Sequence, residues 1–129
     1  MMKTFTLILF FFSLAASSQE LSCCSSVKEV EASLAGVWVQ RDSEPTKKIR
    51  FKFQNGQGTM QVFTTNNGLP EKASTRMPKI KIFKTRDAFK IEHDFGVVKT
   101  YMRIKKLDSR ELIIVRKDGA EQEYYRLKD

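Results

Sequence analysis

This sequence has few of the residues from which reactive centres are usually built. Its 129 residues include one histidine, two cysteines and one tryptophan. The lone His93 and the adjacent Cys23 and Cys24 cannot supply the four Cys/His ligands of a structural zinc site, so no metal is expected. No nucleophile stands in a recognised setting beside a base and an orienting group, so no catalytic residue and no cofactor are expected. Glu92 and Asp94 flank His93, but along an alternating strand they point away from an inward-facing imidazole. The glycines of "NGQG" (55–58) open a strand-like stretch rather than a helix, which excludes a phosphate-binding loop. Without a third cysteine there is no disulfide framework. A bond between neighbours is expected to be strained, because disulfides normally span more than the Cα–Cα distance of adjacent residues. An intermolecular disulfide or a free thiol is the expected alternative.

Long apolar runs are absent except at the start. Met1-Met2-Lys3, the run "TFTLILFFFSLAA" (4–16) and the small residues Ala16-Ser17-Ser18 have the form of a secretory signal peptide. The run falls short of the roughly 18 apolar residues of a membrane span. Export with cleavage between Ser18 and Gln19 follows, placing the protein outside the cell or in a periplasm with no transmembrane span in its mature form. Residues 1–18 are then signal peptide, 19–25 a flexible lead-in and 26–129 one domain. Lipid anchoring at Cys23 or Cys24 is the less favoured outcome, since Glu20 stands where an apolar residue should precede Cys23. A mature chain of about 110 residues holds a modest core. The formal charge of +8 includes Lys3, the only charge in residues 1–18. The remaining positive balance favours solubility, and leaves an anionic surface partner possible.

The region "SVKEVEASL" (26–34) reads as one short helix. Ser26 and Glu29 form a capping box, and Val27, Val30 and Leu34 share a face. Gly36 stops it. Strand-like stretches follow at 36–40, 48–54, 59–65, 79–85, 88–93, 97–106, 111–117 and 121–128. "KIRFKFQ" shows the period of two most cleanly, with Ile49, Phe51 and Phe53 on one face and Lys48, Arg50 and Lys52 on the other. Asp118-Gly119 predicts a two-residue hairpin. With no internal helix for a parallel crossover, the fold class is all-β, an eight-stranded antiparallel up-and-down barrel whose N-terminal helix plugs one end. A two-sheet sandwich built from the same strands shares this periodicity.

In such a barrel the links alternate between ends. "RDSEPT" and "NNGLPEKASTRMP", the two longest, share the open mouth, while the helix and Trp38 share the closed end. The last strand pairs with the first, which brings Arg126 onto the indole of Trp38. Gly36, Trp38 and Arg126, a glycine-x-tryptophan after a short helix and an arginine on the last strand, resemble the lipocalins and the wider calycin group, in a small exported bacterial form. The resemblance covers the chain from about Ser26. It departs from the group in its shortness, in having no helix near the C-terminus and in having no disulfide framework.

Cations and phenylalanines alternate onto opposite faces, which argues against a single-strand nucleic-acid binder, so no nucleic acid is expected as partner. The inward set is expected to be Phe51, Phe53, Met60, Val62, Phe89, Ile91, Met102, Ile104, Leu112 and Ile114. His93 and Arg116 share that parity toward the mouth, at a height similar to Thr64 and Thr100. The candidate ligand-binding residues are Phe51, Phe53, Met60, Val62, His93, Met102, Arg116 and Tyr124. An apolar well with polar groups at its rim suits a small hydrophobic or amphipathic molecule with an anionic head, held by a carrier or sensor rather than an enzyme. The alternative is a barrel packed solid by the same side chains, with a basic outer surface serving as an adhesion or inhibitory module.

Overall fold

The computed structural model describes residues 21–127; the expected signal peptide and its cleavage point lie outside them. Ser26 caps the helix as the sequence predicts, and its pairing with Glu29 runs through the side chains. The Ser26 hydroxyl accepts from the Glu29 backbone N–H at 3.2 Å and donates to the Glu29 carboxylate at 3.2 Å. The first bond satisfies one of the backbone donors left orphaned at a helix start. Helix α1 (Val27–Leu34) turns Val30 and Leu34 into the core. Gly36, at φ +125°, then swings the chain into the first strand, a conformation that side chains disfavour.

The strands are β1 (Gly36–Gln40), β2 (Thr46–Gln54), β3 (Gln57–Thr65), β4 (Lys72–Ala73), β5 (Lys79–Lys84), β6 (Phe89–Asp94), β7 (Lys99–Leu107), β8 (Glu111–Val115) and β9 (Glu121–Arg126). Every pairing is antiparallel, and β1 joins both β2 and β9. The ring β1-β2-β3-β5-β6-β7-β8-β9 therefore closes into an eight-stranded barrel. The two-residue β4 is the ninth strand element. It pairs with the far end of β3 through Phe63 and Ala73, while β5 pairs with the near end through Gly58 and Thr59. Between them the Val62 carbonyl accepts from Ser74 N and the Pro78 carbonyl from Met60 N. Much of the expected long link thus runs along β3 as a strand interrupted at residues 74–78.

The β3–β5 seam is the narrowest in the ring, with two residue pairs in register. A Cβ on Gly58 would lie 2.7 Å from both Ile80 Cγ1 and Phe53 Cε1, and 2.8 Å from the Ile80 carbonyl oxygen. The missing side chain lets the Phe53 ring lie across the seam and lets the strands close.

Inside, Trp38, Phe51, Ile80, Ile82, Phe89, Ile91, Ile104, Leu107, Leu112, Ile114 and Tyr124 form one buried cluster with Val30 and Leu34 of the helix. Leu107 enters it through a bulge. Ile104 pairs with Ile114, but Lys106 pairs with Ile113, so Ile104 and Leu107 both face inward although three residues apart.

Two expectations need correction. Asp118-Gly119 is not a two-residue hairpin. Arg116 N bonds the Ala120 carbonyl and Gly119 N the Arg116 carbonyl, leaving Lys117-Asp118-Gly119 as a three-residue loop with Gly119 at φ +90°. β8 therefore ends at Val115, two residues early. Similarly, Val97 and Val98 belong to a turn, and β7 begins at Lys99. The second correction concerns sulfur: Cys23 and Cys24 are bonded to each other, with Cα atoms 3.7 Å apart, so neither is a free thiol. Leu21 and Cys23 pack against the core and Cys24 is buried in it, so the lead-in is fastened to the barrel from Leu21 onward.

Candidate functional site

At the closed end a helix C-terminus would leave carbonyl oxygens without partners and a partial negative charge. Strand residues supply both remedies. The Trp38 indole N–H donates to the Leu34 carbonyl at 2.8 Å. Arg126 donates to the Ala35 carbonyl at 3.0 Å, to the Ser33 carbonyl and, through Nε, to the Ser109 carbonyl at 3.1 Å. Its guanidinium carbon stands 4.2 Å from the Trp38 ring centroid, and the two residues are in register across β1 and β9. A Cβ on Gly36 would sit 2.9 Å from the Arg126 Nη1, so glycine is required twice over, for its φ and for the arginine's approach. The expected Trp38–Arg126 contact is present, and its work is to lock the helix onto the barrel.

The opposite end carries the links 41–45, 66–71, 95–98 and 116–120. His93, on the inward parity of β6, is 3% exposed, and its Nδ1 has no hydrogen-bond partner. Burial lowers its pKa from the ordinary value of 6.5, leaving the imidazole neutral near pH 7. The Phe95 ring lies nearly parallel to it, with centroids 6.4 Å apart, and Thr100 is its partner on β7. An unpaired buried nitrogen is a costly feature that most structures avoid.

The other candidate residues divide by burial. Phe51 and Tyr124 belong to the buried core, and burial raises the Tyr124 phenol to about 12 while its hydroxyl donates to Gln122 at 3.2 Å. Phe53, Met60, Val62 and Met102 pack against the core but remain partly exposed. Arg116 is exposed, with its guanidinium 3.7 Å from the Asp118 carboxylate.

Three clefts are lined by described residues. A broad hollow of about 1000 Å³ at the closed end is walled by Phe51, Phe53, Arg50 and Arg126, but Arg126 is already engaged there. At the mouth, a cleft of about 590 Å³ is lined by Val98, Lys99, Thr100, Tyr101, Met102 and the 116–118 turn. A neighbour of about 340 Å³ shares Tyr101, Met102, Arg116 and Lys117, and reaches the outer Lys90 and Arg103. Met102 thus lines both mouth clefts, Phe53 only the closed-end hollow, and Met60 none of the three.

The mouth clefts have a simple cause. β7 pairs with β8 only from Arg103 to Leu107, while Lys99–Met102 pair with β6 alone. The short β8 turns away at Arg116, and the two strands part. Inward-facing Met102 and outward-facing Tyr101 then meet at one opening in the wall. Tyr101, Lys99 and Lys117 were not among the sequence candidates; the early Asp118-Gly119 turn opposite a long β7 was the available signal. Among the described residues no group of three or more His, Cys, Asp or Glu side chains gathers in a way that would hold a metal ion, and no helix is long and apolar enough to cross a membrane. No protein-family model, curated protein or solved structure matches this chain.

Proposed function

We propose that the barrel binds a small amphipathic molecule at its mouth, with the apolar part against Met102 and the polar part between His93 and the Arg116 side of the parted β7–β8 wall. The observation that carries this reading is the buried His93 on the inward parity of β6, whose Nδ1 has no hydrogen-bond partner. A ligand hydroxyl or protonated carboxyl donating to Nδ1 would satisfy it, and Arg116 and Lys117 at the rim would hold an anionic head. The partial exposure of inward-facing Met102, which lines both mouth clefts, supports an apolar surface at that end. The Gly36–Trp38–Arg126 clamp supports placing the chain beside the lipocalins within the calycin group, and the apolar leader supports a carrier or sensor working outside the cytoplasm.

Native mass spectrometry of protein purified from its own source, with solvent extraction, tests the proposal. A bound lipid-like or aromatic passenger is expected. If nothing co-purifies and apolar fluorescent probes do not bind, the proposal fails. The second reading, a solid barrel acting through its surface, is favoured by the complete burial of Trp38, Ile91, Leu107 and Leu112 and by the lysines along the outer faces of β2 and β5. Partner binding that collapses with added salt would favour it.

A further inference from the structure

Phe95, Gly96, Val97 and Val98 form the tip of the β6–β7 hairpin. The Phe95 N–H bonds the Val98 carbonyl at 2.9 Å, and Gly96 takes φ +89°, leaving Gly96-Val97 as a two-residue loop. So tight a loop has no neighbour to cover its side chains. Val97 is 97% exposed, Val98 58% and Phe95 45%. Tyr101, also exposed, continues this apolar surface along β7 toward Met102. A soluble turn ordinarily places polar residues here.

The lining of the cleft beside the tip carries more cations than acids. Lys99, Arg116 and Lys117 line the cleft beside Val98 and Tyr101, against one acid, Asp118. Asp118 caps its own turn, accepting from Ala120 N at 3.0 Å. Asp94 does the same, accepting from Gly96 N at 2.8 Å. Glu92 stands 3.9 Å from Lys99. Asp118 also stands 3.7 Å from the Arg116 guanidinium, so Lys99 and Arg116 each have an acid beside them, and Lys117 adds further positive charge next to the protruding apolar tip. Apolar tips ringed by cations fit the interface of an anionic bilayer, where side chains enter the acyl boundary and lysines meet the headgroups.

We infer that the mouth end docks on anionic lipid bilayers, with Val97 and Val98 inserting and Lys99, Arg116 and Lys117 contacting lipid phosphates. The docking goes beyond ligand binding and stands without it. It would bring the parted β7–β8 wall against the membrane, the place where an amphipathic passenger is exchanged.

Sedimentation with phosphatidylcholine vesicles, with and without phosphatidylglycerol, tests the inference on the full chain. Wild type and the Val97→Asp/Val98→Asp double variant share the same N-terminus, so its contribution cancels in the comparison. Wild type is expected to bind the anionic vesicles, with salt weakening the association, and the double variant to bind about tenfold to a hundredfold more weakly. A Val97→Trp variant should show a blue-shifted emission on anionic vesicles only, against the unchanged signal of buried Trp38. Equal binding by wild type and double variant, or no emission shift, would overturn the inference. So would a concentration-dependent dimer, lost in the double variant, that accounts for the tip. Vesicle binding without any co-purifying passenger would leave docking standing and the ligand proposal refuted.

Discussion

Replacing Trp38 by alanine removes a fully buried side chain from the centre of the helix–barrel junction. Three losses combine. The cavity left by a large aromatic costs roughly 3–5 kcal/mol. The Leu34 carbonyl loses the 2.8 Å indole bond, and a buried acceptor left without a partner carries a penalty of about 1–3 kcal/mol. The Arg126 guanidinium loses the ring beneath it, worth about 0.5–2 kcal/mol at partly buried sites. These terms overlap, so about 4–6 kcal/mol is expected in total, a large share of the 5–15 kcal/mol that holds most domains folded. Trp38→Phe keeps most of the apolar volume and the stacking surface but not the hydrogen bond, and should cost only about 1–3 kcal/mol. Urea denaturation followed by circular dichroism measures both. The double cycle of Trp38→Phe and Arg126→Met should show positive coupling, because the two residues serve adjacent carbonyls of one helix end. A Trp38→Ala cost below about 1 kcal/mol, or additive behaviour in the cycle, would refute the clamp.

Gly58→Ala places a Cβ against the Ile80 backbone and should cost about 1–3 kcal/mol, with faster amide exchange across β3 and β5 than elsewhere in the barrel. Gly36→Ala conflicts with both φ +125° and Arg126, and should lower the melting temperature more than Gly119→Ala, whose Cβ would meet nothing within 4 Å. For His93 the sign is set by its lowered native pKa. The unfolded chain binds the proton more readily, so stability is highest above the ordinary value of 6.5 and falls as pH drops below it toward the native value. A His93→Phe variant should lack that part of the acid-side decline in denaturant midpoints measured from pH 7.5 to 5; an unchanged decline would count against a buried neutral imidazole.

Local pattern and closure carried most of the fold. The alternation of Ile49, Phe51 and Phe53 with lysine and arginine fixed β2, and Ser26 with Glu29 fixed the start of α1. Alternation of links between two ends was enough to bring Arg126 to Trp38. Features made by register were hidden. Leu107 sits inside because of a bulge at Lys105–Lys106, which no period of two can show. The strand character of Lys72–Ala73 comes from pairing with β3, not from its own turn-rich sequence. Spacing in the sequence gives only an expectation of strain for a Cys23–Cys24 bond, and the bond is present. At the mouth, the inward parity of His93 was readable, but Arg116 lies beyond the end of β8 and is exposed. The clefts beside it, which His93 does not line, arise from the early end of β8 at Val115, which depends on how Lys117-Asp118-Gly119 turns.

Whether a small amphipathic molecule binds at the mouth is decided by methyl, imidazole and guanidinium NMR during titration with decanol and with decanoate. The Met102 methyl and the His93 ring resonances are expected to shift with both probes. Arg116 should respond more strongly to decanoate, and Val30 and Leu34 at the closed end should not move. Saturable shifts confined to the closed end, or no shift at Met102 and His93 with either probe, would contradict binding at the mouth.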